Sequence, residues 1–423
     1  MTGFLRVFLV ALAVRIGYLL VFIWMRPKIW GGAEFGLWEM GNIATNLFDG
    51  RGFSSPFFHG NQPTAWLCPL VPFLWATVMK LLGDASGHAR RVLIVLQIVP
   101  SALSASFYWL VARYLTHRVS GLPSYTAALV GLLFCLWPES VMRFPELWYL
   151  VWQELILVAL IYAGLWWCDE PTIYSGSTLG ALGGLMALIN VTPLPIFAMA
   201  LVTPLLENKF RRAGVLRAAV VSGIVATAII GPWLVRDALR FGCFVPIRSN
   251  AAYELFQGNN PNGSICQQIV SAHPTQDPHE LALSKSLGEI EYVRYSRARA
   301  FQYIKAHPSE TALRAAERIY VAWCTDIFQQ WPREPGKPYS GQGFIITNVA
   351  LVSALVPLSI VIFGLITGRL RGLPHPILFA SIFVFLPLPH YFTMANEQYL
   401  QTLRSWLALM AVIVLVRTRP RSE

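Results

Sequence analysis

Long apolar runs, separated by short stretches that carry the charges, dominate the pattern of hydrophobic and polar positions along this chain. A run of about 20 apolar residues can cross a bilayer as a helix, whereas runs of about 10–14 usually cannot. The clearest runs of spanning length cover residues 4–25, 92–113, 123–142, 148–167, 218–235, 343–366 and 402–416. Shorter apolar stretches cover residues 174–190, 192–206 and 376–389. The pattern predicts an all-α polytopic membrane protein with about ten transmembrane helices.

The composition rules out several other classes of protein. Of the 423 residues, 55% are hydrophobic and only 13% are charged, which is about half of the charged fraction typical of soluble globular chains. These values exclude a disordered chain, a coiled coil and an ordinary cytosolic enzyme. The six cysteines form no CxxC pair, which excludes a disulfide scaffold and a zinc site built from thiolates.

The net charge of +11 would suggest a nucleic-acid partner for a soluble protein, but in a membrane protein it first reports topology. Short loops that are rich in Lys and Arg belong on the cytoplasmic side. One set of connections carries these cations: Arg6, Arg113, Arg118, Lys209, Arg211, Arg212, Arg217, Arg369, Arg371, Arg417, Arg419 and Arg421. We therefore expect both termini in the cytoplasm and no nucleic-acid partner.

This topology divides the chain into three parts. Residues 1–240 form a membrane domain whose first outer loop covers 26–91, residues 241–342 form an outer cap domain, and residues 343–423 form C-terminal transmembrane helices. Residues 64–82 are an ambiguous stretch, because Lys80 is their only charge and they could be counted as a further span. Pro69 and Pro72 favour instead a helix that lies in or dips into the outer interface.

The first outer loop contains an amphipathic pattern. At about 100° per residue, a helix over residues 35–48 has one apolar face and one polar face. The apolar face collects Leu37, Met40, Ala44, Leu47 and Phe48, and the polar face collects Glu39, Asn42, Asn46 and Asp49. Such a helix is expected to lie flat on the membrane with its carboxylate and amides facing the space above. Glu39 is then either a solvated charge or a functional carboxylate, and the company of Glu34, Asp49, His59 and Trp66 favours the second interpretation.

The second outer segment has the pattern of a small helical domain. Pro278 and Pro308 each begin a helix with acidic residues in its first turn. Its core is expected to contain Leu281, Leu287, Ile290, Tyr295, Phe301 and Ile304. Cys243 and Cys266 both lie in this segment, on the oxidising side of the membrane, where they either form a disulfide or stay free.

The last outer turn runs from His390 to Tyr399 and is followed by Arg404, just inside the final apolar run. A cation at this depth can anchor a helix at the interface through its long side chain. It can equally contact an anion. Both interpretations of Arg404 stay open on the sequence alone.

Several short motifs, taken in order, resemble those of a known family. In the first outer loop they are Glu39-Met40-Gly41-Asn42-Ile43-Ala44, Gly50-Arg51-Gly52-Phe53-Ser54-Ser55-Pro56-Phe57, Pro63-Thr64-Ala65-Trp66 and Pro69-Leu70-Val71-Pro72. Later motifs are Pro232-Trp233, Arg236, Phe241-Gly242, Pro246-Ile247-Arg248-Ser249-Asn250, Glu254-Leu255, Gly258-Asn259-Asn260-Pro261, His273-Pro274, Gly288-Glu289, His307-Pro308, Arg318 and Trp323. Together they resemble the GT-C class glycosyltransferases, relatives of the protein O-mannosyltransferases and of the lipid A aminoarabinose transferase.

The resemblance implies an integral-membrane enzyme whose donor is a sugar on a polyprenyl phosphate or diphosphate.

 The implied reaction is an inverting transfer of a hexose or pentose on the outer face of the membrane, with a carboxylate of the first loop as general base. The implied location is a bacterial inner (plasma) membrane. The acceptor is a protein, a lipid or a polysaccharide, and these alternatives stay open.

The implied roles fall on named positions of this chain. Glu39 is favoured as the base, and Glu34 is the alternative. The candidate contacts of the donor phosphate are Arg404, Arg236 and Arg248, and the candidate substrate contacts are Asn42, His59, Trp66, Tyr399 and His390. No cofactor is assigned with certainty, and a divalent metal ion is one alternative for balancing the charge of the leaving phosphate.

The sequence also departs from the family pattern. Many relatives carry an Asp-Glu pair near the start of the first-loop helix, where this chain has Phe35, Gly36 and Leu37. A Glu-Lys pair of the aminoarabinose-transferase branch is replaced by Ala65-Trp66-Leu67-Cys68, which argues against a metal site of two carboxylates. Near the last span, Gln398-Tyr399 stands where relatives often have Arg-Tyr-Arg, so Arg236 and Arg248 compete with Arg404 for the phosphate.

Two other functions remain as alternatives. Glu154 is a carboxylate near the middle of an apolar run, and intramembrane acids often mark ion pathways. This feature would suit a transporter or flippase of a lipid-linked or small anionic substrate, although the two halves show no convincing inverted repeat. The missing acid pair would suit an inactive relative that only binds the carrier lipid.

Overall fold

A computed structural model describes residues 2–30, 38–207, 212–263, 272–325, 341–395 and 398–418. In the first half of the chain the helices are α1 (Thr2–Met25), α2 (Pro27–Trp30), α3 (Glu39–Phe48), α4 (Leu70–Leu82), α5 (Gly87–Arg118), α6 (Thr126–Leu136), α7 (Pro138–Arg143), α8 (Leu150–Asp169), α9 (Ile173–Ile189) and α10 (Leu194–Leu206). In the second half they are α11 (Arg212–Phe241), α12 (Ala251–Gly258), α13 (Pro278–Leu287), α14 (Glu289–Ala306), α15 (Pro308–Cys324), α16 (Gly341–Ile366), α17 (Pro376–Phe385), α18 (Leu388–Phe392) and α19 (Gln401–Val416).

Several of these helices have the length and composition of membrane spans. Within the described ranges, six segments qualify: Thr2–Met25, Gly87–Arg118, Thr126–Arg143, Leu150–Asp169, Ala213–Phe241 and Asn348–Ile366. Shorter apolar helices cover Leu70–Leu82, Ile173–Ile189, Leu194–Leu206, Pro376–Phe392 and Gln401–Val416. The prediction of an all-helical chain with several helices able to cross a membrane is confirmed. The number of ten spans stays a prediction.

The helix α4 bears on the ambiguous stretch 64–82. It has 13 residues, so at 1.5 Å per residue it is about 20 Å long, which is less than the hydrocarbon thickness of about 30 Å. The preceding residues Ala65, Trp66 and Leu67 are not helical, and their side chains are buried in the protein. A short helix of this kind fits an interfacial position better than a complete span.

A row of glycines brings two apolar helices into close contact. Gly176, Gly180 and Gly184 recur every fourth residue along one face of α9, which packs against α11. A Cβ added at Gly180 would collide with the backbone carbonyl of Ser222, and one at Gly176 would lie 2.7 Å from the carbonyl oxygen of Ala218. Small residues at such spacing let helix backbones approach in a membrane, where packing rather than hydrophobic burial drives association.

A break between α6 and α7 is compensated by a buried arginine. Pro138 has no N–H, so the carbonyl of Phe134, four residues earlier, lacks its usual helical partner. Arg15 of α1 donates to this carbonyl at 3.1 Å and to that of Cys135 at 2.6 Å, and its Nε donates to Ser101 Oγ at 3.1 Å. Its side chain is buried. Arg15 therefore joins α1 and α5 to the broken helix.

Two carboxylates also lie inside the helix bundle. Glu154 of α8 accepts hydrogen bonds from the hydroxyls of Ser140, Tyr108 and Ser405, the last at 2.8 Å. Glu139 of α7 accepts from Arg404 Nε at 2.6 Å, and both of these side chains are buried. Each acid thus links helices that are distant in sequence.

One end of the bundle gathers predicted cytoplasmic residues. Arg417 donates to the carbonyls of Ser120, Arg369 and Arg371. His375 lies 2.8 Å from Glu207 and 3.2 Å from Asp169, and Asp169 also accepts from Arg118 at 2.7 Å. The first outer loop, the cap helices and the turn before α19 lie beyond the other ends of the same helices.

Two expectations about the outer segments are wrong. Helix α3 does bury Met40, Ala44 and Leu47, but they pack within the protein, including on α4, rather than lying on the membrane. In the predicted core of the cap, three members are exposed: Leu287, Tyr295 and Phe301. The buried face of α14 instead carries Tyr292, Ser296, Ala300 and Tyr303. The small side chains of Ser296 and Ala300 let α12 pack against this face.

The glycine contact gives a first testable prediction. The substitution Gly180→Ala places a methyl group against the backbone of α11, so we expect it to lower the free energy of unfolding by about 1–3 kcal/mol, as overpacking does. Thermal unfolding of the purified protein in detergent measures the effect.

Gly223→Ala is the matched control, because a Cβ at Gly223 would have open space around it. This control is expected to unfold at the same temperature as the wild type or slightly higher, since alanine favours helices. Equal unfolding temperatures for the two variants would contradict the close contact of α9 and α11.

Candidate functional site

The centre of the site is the carboxylate of Glu39, at the first residue of α3. Its Oε1 accepts a hydrogen bond from the indole Nε1 of Trp66 at 2.7 Å and one from the imidazole Nε2 of His273 at 3.0 Å. Its side chain is 13% exposed, and its Oε2 accepts no hydrogen bond from a described residue. One carboxylate oxygen is therefore fixed in place, and the other is left for a further partner.

The segment that follows α3 is folded back by two amides of the helix. Asn46 is buried and donates to the carbonyls of Ser54, Ser55 and Phe58, each at 3.1 Å. Asn42 donates to the carbonyl of Pro56 at 2.8 Å. The polar face of α3 thus holds its own loop, and the expectation that Asn46 faces open space above the membrane is wrong, because the loop covers it.

Trp66 is held in a cage of aromatic rings. Its side chain is 1% exposed, and its ring lies edge-on to Phe57 at 4.8 Å and tilted against Tyr253 at 4.7 Å between centroids. Since a buried indole N–H requires an acceptor, the cage fixes the direction in which Trp66 donates. The rings therefore set the position of Glu39 from one side.

Arg248 acts on this carboxylate through its charge, and its hydrogen bonds connect the segment of Trp66 to the cap. Its Nε donates to the carbonyl of Trp66 at 3.1 Å, and its Nη2 lies 3.3 Å from Glu254 Oε1. Asn250 also donates to this Glu254 oxygen, at 2.8 Å. The Nη1 of Arg248 donates to none of the residues that the structure describes.

The charged groups of this cluster shift one another's pKa values. Burial alone would raise the pKa of Glu39, but the hydrogen bonds from His273 and Trp66 and the charge of Arg248 hold it below its ordinary value. Burial opposes the charge of Arg248, yet its pKa is raised, with Glu254 as the largest favourable contribution. Glu39 is therefore an anion and Arg248 a cation at neutral pH.

The turn before α19 adds aromatic groups to the same cluster. The ring of Tyr399 stacks on Tyr149 at 6.2 Å and on His390 at 5.8 Å between centroids. Burial raises the pKa of Tyr399, and the charges of Glu254 and Glu39 add to this effect. His390 donates through Nδ1 to the carbonyl of Met394 at 2.9 Å. Tyr399 is thus a protonated phenol close to the two carboxylates.

Other predicted site residues have their contacts elsewhere. Arg236 donates to the carbonyls of Thr64 at 2.6 Å and Phe53 at 2.8 Å, which fastens α11 to the first outer loop. Arg404 has Glu139 as its ion-pair partner. His59 is exposed at the tip of the loop. The structure brings Glu39, Trp66, Arg248, Tyr399 and His390 together, but not these three.

Two of the sequence predictions concern residues outside the described ranges. These are Glu34, the alternative base, and Cys266, the proposed disulfide partner of Cys243. The described residues also bear on the divalent metal ion considered from the sequence. Across the described residues, no group of three or more His, Cys, Asp or Glu side chains could hold a metal ion.

The sequence analysis did not select three residues of the site: His273, Glu254 and Glu289. The side chain of Glu289 accepts hydrogen bonds from the backbone N–H of Ala65 at 2.7 Å, from Ser249 Oγ at 2.7 Å and from Thr64 Oγ1. It thereby fastens the segment that carries Trp66 to the cap. Each of the three residues belongs to a motif of the family resemblance, and that was the one signal that could have drawn attention to them.

Glu289 gives a prediction about pH. Burial raises the pKa of Glu289 to about 7, so the folded protein holds a proton there that the unfolded chain releases near its ordinary value. The contribution to stability is complete below about pH 4.5 and is lost as the pH rises through about 7. We expect the unfolding temperature of the wild type to fall between pH 5 and pH 8 by more than that of Glu289→Gln, whose amide resembles the protonated acid.

Glu291→Gln serves as the control, because Glu291 is an exposed neighbour on the same helix. Its unfolding temperature should follow the wild-type dependence on pH. The assignment to Glu289 would fail if Glu289→Gln showed the same dependence as the wild type.

Comparison of this sequence with models of known protein families and with curated proteins gives no match. The contacts of Glu39, Trp66, His273 and Arg248 are therefore the observations on which a function can be based. They form a partly buried anion beside a cation, at one end of a bundle of apolar helices.

Proposed function

We propose that this chain is an integral-membrane inverting glycosyltransferase. It transfers a sugar from a polyprenyl phosphate or diphosphate to an acceptor hydroxyl at the outer face of the membrane. The observation that carries this proposal is a carboxylate, Glu39, under the influence of the charge of a guanidinium, Arg248. Glu39 Oε2 and Arg248 Nη1 each have no hydrogen-bond partner among the described residues.

Glu39 has the properties of a general base for such a transfer. The acceptor hydroxyl must lose its proton as its oxygen attacks the anomeric carbon, so a carboxylate is needed within hydrogen-bond reach. The new bond joins the acceptor oxygen to the anomeric carbon, the bond from that carbon to the phosphate oxygen breaks, and the proton goes to Glu39 Oε2. Attack on the face opposite to the leaving phosphate inverts the configuration of the sugar.

Arg248 has the properties of the phosphate contact. The leaving group is a phosphate ester, which needs no proton from an acid but needs a cation to balance its charge. A guanidinium suits this purpose because its N–H groups match the oxygens of a phosphate. Among the three arginines predicted from the sequence, Arg248 is the one whose charge acts on Glu39.

The lipid carrier accounts for the location of the site. A polyprenyl tail stays in the bilayer, so the phosphate and the sugar must be met where the helices leave the membrane. The cluster lies at the ends of α8, α11 and α19 and below the cap. The cationic residues Arg118, Arg369, Arg371 and Arg417 gather at the opposite end, which supports a cytoplasmic location of that end and of both termini.

The contacts of Glu154 weigh against the transporter alternative. Its carboxylate accepts from three hydroxyl groups of α5, α7 and α19, and 3% of the residue is exposed. A carboxylate satisfied in this way holds helices together. An acid on an ion pathway would instead be expected to face a water-filled cavity.

The central prediction concerns Glu39. In Glu39→Gln the amide can no longer accept the proton, so we expect transfer from polyprenyl phosphates that carry hexose or pentose to fall by about 100-fold or more. Binding of a short-chain polyprenyl phosphate, followed by tryptophan fluorescence, should be retained. Release of the free carrier lipid measures turnover for any acceptor.

Asp49→Asn is the matched control, because Asp49 is a carboxylate of the same loop that pairs with Arg51 at 3.4 Å and is partly exposed. It should keep wild-type turnover, and so should Glu34→Gln. Undiminished transfer by Glu39→Gln would refute the assignment of the base.

Arg248 gives a separate prediction. Removing the charge in Arg248→Gln should weaken binding of the polyprenyl phosphate by about 10- to 100-fold, the size expected for a hydrogen bond to a charged group. Arg240→Gln is the control, since Arg240 is exposed at the same end of α11. Equal affinities for the lipid phosphate in both variants would exclude Arg248 as the contact.

A further inference from the structure

We infer that His273 is a positioning residue, held as the neutral tautomer with its proton on Nε2, which aims Glu39 so that Oε2 is the oxygen that accepts a proton. The tautomer of His273 and its hydrogen bond to Glu39 are inferred from the positions of the atoms alone. The consequence for turnover rests on the proposed function.

The tautomer follows from the contacts of Nδ1. The backbone N–H of Thr275 points to His273 Nδ1 at 3.2 Å, and the hydroxyl of Thr275 lies 2.7 Å from the same atom. A backbone N–H can only donate, so Nδ1 must present its lone pair. In a neutral imidazole the proton is then on Nε2, where it is donated to Glu39 Oε1 at 3.0 Å.

The ring has little freedom to leave this arrangement. His273 is 7% exposed. Its ring is edge-on to Phe57 at 5.5 Å with an interplanar angle of 90°, and it meets Tyr253 at 5.9 Å. Packing on two sides and burial therefore restrict rotation of the imidazole.

The groups around Glu39 come from several elements. Trp66 comes from the first outer loop, Arg248 precedes α12, Tyr253 and Glu254 lie on α12, His273 lies in the segment before α13, and Tyr399 precedes α19. Only Trp66 and His273 among them donate a hydrogen bond to Glu39. Both hydrogen bonds are accepted by Oε1, so Oε2 is the oxygen that can accept a proton.

The same geometry excludes His273 itself as the base. A base must offer a lone pair to the acceptor hydroxyl. The lone pair of Nδ1 faces the N–H of Thr275, and Nε2 carries a proton that is directed at Glu39. His273 thus acts through Glu39, by favouring its charged form and by fixing which oxygen is free.

The first experiment does not depend on catalysis. The full-length protein is labelled with ¹⁵N in its histidine rings, and His273 is assigned by comparison with His273→Gln. We expect a neutral ring with the proton on Nε2 at pH 7. A proton on Nδ1, or a doubly protonated ring at that pH, would overturn the inference.

The second experiment measures kcat/KM for polyprenyl-phosphate sugars as a function of pH, in the wild type and in variants of His273. In His273→Ala one donor to Glu39 is lost, so the pH of half-maximal kcat/KM on the acidic side should rise by about one unit. In His273→Gln the amide N–H can replace Nε2–H, and the profile should stay close to that of the wild type. His279→Ala is the control, because His279 is exposed on the cap.

The outcomes separate the two proposals. An unchanged profile in a folded His273→Ala protein would overturn the positioning role, even if transfer itself is observed. If the wild type transfers none of these sugars, the proposed function fails, and the ¹⁵N measurement decides the inference about His273 by itself.

Discussion

The hydrogen bonds to Glu39 Oε1 are the interaction on which the architecture of the site depends. They join the start of α3 to Trp66, which is 27 residues away, and to His273, which is 234 residues away. A partly buried carboxylate is costly unless donors satisfy it. The aromatic cage of Trp66, the Thr275 contacts of His273 and the cation of Arg248 can all be understood as the means by which the protein keeps this anion in a sheltered place.

The outer segments are arranged around the same requirement. Asn46 and Asn42 fold the first loop back over α3, Arg236 fastens that loop to α11, and Glu289 fastens it to the cap. Because the site is assembled from segments that are far apart in sequence, the positions of its residues depend on these attachments. The cap is therefore part of the site as much as a cover for it.

The sequence predicted the parts that depend on local periodicity. Apolar runs of sufficient length identified helices that are long and apolar enough to cross a membrane, and the spacing of Met40, Ala44 and Leu47 identified the buried face of α3. Periodicity does not say what will cover a face, so it missed the burial of Asn46 under its own loop. It also failed for the cap, because the inward face of α14 depends on the small residues Ser296 and Ala300 rather than on the most apolar ones. His273 could not be connected to Glu39 at all, since no local pattern reports a contact across most of the chain.

The ion pair between Glu139 and Arg404 and the hydrogen bond from Ser405 to Glu154 have a consequence for biogenesis. Both acids lie on helices that are synthesised early, whereas Arg404 and Ser405 lie on α19. In the proposed topology, α7 and α8 enter the bilayer before α19, while these carboxyl groups lack their late partners, which is costly in lipid. In that topology, α19 supplies the last partners of both acids, and a chain that ends before α19 would lack them.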